Sequence, residues 1–267
     1  MCGLTGSLIG NLPKRRVKDI EALTDTFTRL LLLSEHRGPH ATGVAWVKRD
    51  GTMQVAKEPL PARTFVQSGA FLDWLLGVDR QVTYLMGHTR WPSRGRVSNP
   101  AENHPLCCAP PILLTHNGTI SDHMRHYARL RLRHATQVDS ELLARIGQHH
   151  AGTTGVDLDA YLDALQPLNG SMSVALVATT RPDEIILLKG NMPLEVRLHR
   201  RKRVVLYASE ARILDMALDG EAGWEEIPVV PGEALVFNTA AIHAPQRMRF
   251  TFSGMAVTRT RISLTGI

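Results

Sequence analysis

A chain of 267 residues is long enough to bury a sizeable core, and an apolar fraction of 43% with 21% charged residues excludes a disordered or fibrous protein. The net charge of +6 would draw polyanions, but the cations are scattered apart from Arg129, Arg131, Arg133 and the run Arg200-Arg201-Lys202-Arg203. No aromatics interleave with those runs to stack bases, so they read as solvated faces and no nucleic-acid partner is expected.

Residues 4–9 form a short apolar segment directly after Cys2 and Gly3, broken by Asn11-Leu12-Pro13, and predict a buried strand starting at the terminus. Val17, Ile20, Leu23, Phe27, Leu30 and Leu31 recur at helical spacing, which predicts an amphipathic helix over 17–35 laid on a sheet. Residues 43–48 and 52–57 flank Asp50-Gly51, a dipeptide suited to a tight hairpin. Strand patterns follow at 82–88, 112–116, 172–179, 184–189, 194–199, 203–208 and 233–238. Helical stretches fall at 121–132, at 140–150 and after Ser209, a candidate cap for a helix through Ile213, Leu214 and Leu218. Runs of strands with a few helices argue an α+β domain, and no repeat or flexible linker divides it. The expected domain covers 1–240, with 241–267 an extension of unassigned role, either an extra strand or a docking segment.

The cysteines, Cys2, Cys107 and Cys108, are odd in number and two are adjacent, a poor arrangement for disulfides or for zinc ligands. Together with the absence of any apolar run near the roughly 18 residues of a membrane span, this leads to the expectation of a cytoplasmic protein with no membrane association. Among the 12 histidines, only His123 with His126 and His149-His150 are compactly spaced, so neither a metal nor a cofactor is expected.

A cysteine at position 2 becomes the terminal residue when Met1 is removed, and its own α-amine then lies within reach of its thiol. With an unperturbed pKa of about 7.7–8, such an amine takes the thiol proton and later returns one to a leaving nitrogen. The bland alternative is a small buried hydrophobe. What decides between them is the ordered set that follows Met1-Cys2-Gly3-Leu4-Thr5-Gly6: His36-Arg37-Gly38-Pro39, Gly87-His88-Thr89-Arg90-Trp91, His116-Asn117-Gly118 and Asp139-Ser140-Glu141. Farther on come Asn169-Gly170, Met192-Pro193-Leu194, Ala208-Ser209-Glu210 and Pro231-Gly232-Glu233.

This series resembles the class-II glutamine amidotransferases, N-terminal nucleophile enzymes that include glucosamine-6-phosphate synthase, amidophosphoribosyltransferase, asparagine synthetase and glutamate synthase. The resemblance runs from Cys2 to about Phe237 and implies a four-layer αββα sandwich of two antiparallel sheets, the Ntn-hydrolase type. It implies that Cys2 attacks the side-chain carbonyl of glutamine, while the Asn117 amide and the Gly118 backbone N–H hold the oxyanion. By the same resemblance Arg90 holds the α-carboxylate, a match for a planar guanidinium, and Asp139 the α-ammonium; His88 and Trp91 shape the glutamine loop. Taken alone, Asn117-Gly118 reads rather as a hairpin turn, Arg90 and Asp139 as ordinary surface charges, and His88 and Trp91 more often as packing residues.

Two departures stand out. His40 occupies a position where relatives commonly carry aspartate, and Pro92-Ser93-Arg94 follows Trp91 where glucosamine-6-phosphate synthases have Ala-Thr-His. Family members usually fuse this domain to an ammonia-consuming synthase, so an L-glutamine hydrolase feeding an acceptor enzyme in trans is expected. The alternatives are a hydrolase of another γ-glutamyl amide and a glutamine-binding subunit without turnover.

Overall fold

The computed structural model describes residues 1–108 and 112–255. In chain order it contains β1 (Gly3–Ile9), α1 (Val17–Leu33) with a 3-10 turn at Glu35–Arg37, β2 (Ala41–Lys48), β3 (Met53–Glu58), α2 (Ala62–Phe65), α3 (Gly69–Leu76) and β4 (Val82–Arg90). A second 3-10 turn, Pro100–Glu102, leads to β5 (Leu106–Cys108) and β6 (Ile112–Ile120), then α4 (His123–Leu130), α5 (Ser140–His149), a small ribbon of β7 (Ala151–Gly152) and β8 (Gly155–Val156), and α6 (Leu158–Leu165). The remainder is β9 (Gly170–Ala178), β10 (Glu184–Lys189), β11 (Glu195–His199), β12 (Val204–Ala208), α7 (Ala211–Leu218), β13 (Trp224–Glu226), β14 (Glu233–Asn238) and β15 (Gln246–Arg249).

Two antiparallel sheets result, one ordered β13-β11-β12-β1-β4-β2-β3 and the other β15-β14-β10-β9-β6-β5. Alternation along the strands builds three apolar layers. Leu4, Leu8, Tyr84 and Met86 of the first sheet meet Leu113, Ala175, Val177 and Phe237 of the second between the sheets. On the outer face of the first sheet, Ile20, Phe27 and Leu30 of α1 pack with Ile213 and Leu214 of α7. Leu142, Leu143 and Ile146 of α5 pack with Tyr161 and Leu165 of α6 on the outer face of the second. The architecture is therefore α+β, an αββα sandwich, as the sequence led one to expect. Among the described residues no helix is long and apolar enough to cross a membrane.

Two local expectations change, and one alternative is set aside. Ser209 does not cap α7, whose N-cap position is Glu210; its Oγ instead accepts the Leu4 N–H at 2.9 Å and fixes the start of β1. Asn117-Gly118 is not a turn but lies within β6, paired with Ser173 and Met172 of β9. β4 runs through Thr89 and Arg90, two residues beyond the expected 82–88. The 241–267 segment supplies β15, which pairs with β14, and Phe250 and Phe252 join the core cluster beneath α5 and α6; positions 256–267 fall outside the described residues. The basic run at 200–203 is a hairpin turn in which Arg200 pairs with Glu225 and Lys202 with Glu221.

Candidate active site

Because β1 is a central strand and Gly3 sits opposite Thr89 of β4, Cys2 emerges beside the β4 terminus, at Arg90 and Trp91. The Trp91 N–H donates to Cys2 Sγ at 3.4 Å, and the thiol donates to the Trp91 carbonyl at 3.5 Å. Arg37, buried in the 3-10 turn after α1, donates from Nε to the Cys2 carbonyl at 2.8 Å and pairs with Glu210. Arg212 holds the other side of Glu210 at 2.6 Å. The nucleophile candidate is thus clamped by its own carbonyl, its sulfur and the strand that follows it.

Burial pushes the Cys2 thiol pKa up, and the Trp91 N–H, the N-terminal charge, Arg90 and Arg37 pull against it without reversing the direction. The resting sulfur is a thiol that needs a base. Among the described residues no histidine or carboxylate side chain hydrogen-bonds it. A cleft of about 220 Å³ opens beside it, lined by Met1, His36, Arg37, Trp91 and Glu210. A larger hollow, about 560 Å³ and lined by Arg15, Arg16, Lys202 and Trp224 among others, lies at the far end of β1 and has no nucleophile near it.

Arg90 is buried at the end of β4, on the same face as His88. Its Nη1 donates to Asn103 Oδ1 and its Nη2 to the Arg94 carbonyl, each at 2.5 Å. A guanidinium has five N–H donors, so among the described residues three remain, enough for a carboxylate pair. Burial lowers the Arg90 pKa, while Cys2, Glu102 and Asp139 oppose that shift, which places all three within electrostatic reach of the guanidinium. Asp139, also buried, accepts the Ile120 N–H at 2.5 Å and stands at the end of β6.

Asn117 is fully buried, and neither its side-chain oxygen nor its nitrogen has a hydrogen-bond partner among the described residues. An unpaired buried amide costs about 1–3 kcal/mol, so its retention points to a ligand that completes it. Gly118 has φ +144, and a Cβ there would lie 2.0 Å from the Ser171 carbonyl oxygen. Only glycine fits, and its backbone stays bare. His88 Nε2 meets the His116 carbonyl at 3.2 Å, a bond across the sandwich that sets the Asn117 stretch of β6 against the Arg90 end of β4.

The seven candidates separate by environment. Cys2, Arg90 and Trp91 converge on one edge, and Asn117, Gly118 and Asp139 occupy the facing strand and its exit. His88 is sealed between the sheets, stacked 4.2 Å from His104, and its neutral state is enforced by burial, with a pKa lowered to about 3. Trp91 is 51% exposed, its ring edge-on to His40 at 4.9 Å, so its backbone serves the sulfur while its indole faces outward. Sequence reasoning assigned no role to Arg37 and Glu210, although both lie in motifs that it singled out. It also passed over Asn103, whose 13-residue separation from Arg90 leaves no periodic signal. Among the described residues no three His, Cys, Asp or Glu side chains are grouped to hold a metal ion.

No family model matches the chain. It is similar to glutamine–fructose-6-phosphate aminotransferase (isomerizing) of Neisseria meningitidis, 29% identical over 210 residues, which cover 74% of this chain and 30% of the relative. The enzyme of the same name from Shouchella clausii is 28% identical over 260 residues, 94% of this chain and 39% of the relative. Among solved structures, the glutamine phosphoribosylpyrophosphate amidotransferase of B. subtilis superposes with a TM-score of 0.68 at 20% identity, covering 94% of this chain and 49% of that one. The chain is thus similar in sequence to glutamine-dependent aminotransferases and in fold to a glutamine amidotransferase. The chain spans about a third of the length of the curated relatives it matches.

Proposed function

We propose that this domain hydrolyses the side-chain amide of L-glutamine through a Cys2 γ-glutamyl thioester, giving glutamate and ammonia for an acceptor enzyme in trans. The observation that carries the reading is the Asn117 amide, buried and unpaired beside a glycine that no other residue could replace. In the proposed reaction the Cys2 α-amine takes the thiol proton as Sγ adds to the carbonyl carbon. The resulting oxyanion is held by Asn117 Nδ2–H and the Gly118 N–H. The C–N bond then breaks, with the ammonium proton passing to the leaving nitrogen. Water next attacks the thioester, which yields glutamate and returns the thiol.

As long as Met1 is attached, the Cys2 nitrogen is a peptide nitrogen with no basicity, so removal of Met1 is a condition of activity. Arg90 would read the α-carboxylate with its three uncommitted donors and Asp139 the α-ammonium, which favours the free amino acid over peptide-bound glutamine. Trp91 would position the sulfur through its backbone, and His88 would support the wall behind it. The unpaired state of Cys2, Cys107 and Cys108 supports a reducing, cytoplasmic setting.

The test is ammonia and glutamate release from L-glutamine by the purified protein, with intact mass reporting the state of Met1. Turnover by the processed protein and its loss in Cys2→Ala are expected. Full activity in Cys2→Ala would overturn the mechanism. The second reading, hydrolysis of other γ-glutamyl amides, would keep the α-carboxylate and α-ammonium contacts given to Arg90 and Asp139 and differ only in the leaving amine. A silent protein on glutamine that cleaves one of them would establish that alternative.

A further inference from the structure

We propose that Glu102 is a positioning residue that latches together the two arms of the amino-acid clamp, an inference that rests on the roles given above to Arg90 and Asp139. Glu102 ends the 3-10 turn Pro100–Glu102 and is buried. Its two carboxylate oxygens go to different segments. Oε2 accepts the Arg96 N–H, within the loop that follows Arg90, and Oε1 accepts the Gln137 N–H at 3.2 Å, two residues before Asp139.

The first segment is the one that holds Arg90. The Arg94 carbonyl takes one guanidinium donor, and Asn103 takes another while its Nδ2 donates to the Val97 carbonyl at 2.7 Å. Gly95, at φ +72, is pressed between the partners: a Cβ there would lie 2.5 Å from Glu102 Oε2 and 2.9 Å from Val138 Cγ1. The loop behind the carboxylate-binding arm therefore packs directly on the segment that carries the ammonium-binding arm, and one side chain bonds to both. Among the described residues Glu102 forms no ion pair, yet it stands within electrostatic reach of Arg90. A buried carboxylate satisfied by backbone N–H groups is fixed in place, because moving it would strand both donors. The spacing between the sites for α-carboxylate and α-ammonium is set by this bridge.

The experiment compares wild type, Glu102→Ala and Glu102→Gln, all processed at Met1, in glutamine steady-state kinetics and in the rate of Cys2 alkylation by iodoacetamide followed by peptide mass. Losing both acceptors should raise KM for glutamine about tenfold, with kcat within about threefold, and the glutamine side chain, which keeps one acceptor, should give a smaller rise. Cys2 alkylation should stay within about twofold of wild type, since iodoacetamide uses neither arm of the clamp. An unchanged KM, or a fall in alkylation parallel to the loss of turnover, would overturn the latch and leave Glu102 a general support of the fold. Should wild type fail to turn over glutamine, calorimetric binding of L-glutamine decides the latch separately: weaker binding in Glu102→Ala supports it, while equal binding, or none by wild type, removes it.

Discussion

Replacing Asn117 by alanine separates function from stability in opposite directions. In the free protein the Asn117 amide is buried with both polar atoms unpaired, a penalty of about 1–3 kcal/mol that alanine relieves. Truncation forfeits packing worth about 1 kcal/mol, so the net change in stability lies between about zero and a gain of 2 kcal/mol. For a domain of this size that corresponds to a Tm unchanged or raised by up to roughly 5 °C. Catalysis should move the other way, because the same amide is the proposed oxyanion donor: kcat falls about 10²–10³-fold, equivalent to about 3–4 kcal/mol. A coupled ammonia assay at saturating glutamine and a thermal melt on the same preparation read both quantities. A kcat within about threefold of wild type, or a Tm lowered by more than roughly 5 °C, would refute the reasoning, the second because it would mean that the amide is bonded in the free protein.

Gly118→Ala should abolish activity and destabilise the fold, since the new Cβ would lie 2.0 Å from a backbone oxygen in the paired β9 strand; a chemical denaturation series reads the loss. Arg90→Lys keeps a charge but not a planar fork, and should raise KM for glutamine by at least about tenfold with a smaller effect on kcat. Acid should destabilise the protein through its buried imidazoles. His88 is held near pKa 3 by burial against an ordinary 6.5, so the unfolded chain binds more protons than the native one between those values, and stability falls as pH drops through that window. His104, lowered in the same direction by burial, adds to the slope. Melts from pH 7 to pH 4 should show a steady loss, which a His88→Asn variant would flatten; equal slopes in the two proteins would contradict the assignment. Blocking removal of Met1 should leave a folded protein with an unchanged melt and no glutamine turnover.

The architecture was legible in the sequence because its signals are periodic and local. The 3.6-residue pattern from Val17 to Leu31 fixes α1, and two-residue alternation as in β11, or a short apolar run as in β10, marks the strands. Some short elements were not read: α2 has only four residues, and α3 and α6 were missed although α4 and α7, of the same eight-residue length, were read. Among the candidate site residues, Cys2, Asn117 and Gly118 were named from motif order, because the chemistry proposed for them is carried by residue type. Whether Asn117-Gly118 is a turn or part of a strand was open to the sequence alone, since the dipeptide suits both. Pairing with β9 decided it. Arg37, Asn103 and Glu102 act through contacts that span from 13 to 173 residues or join separate loops. Such contacts follow from which strands lie side by side. Sequence named the candidate reactive groups, and the tertiary structure alone decided what holds them, because a hydrogen bond across a sandwich depends on register and layer stacking that no local pattern encodes.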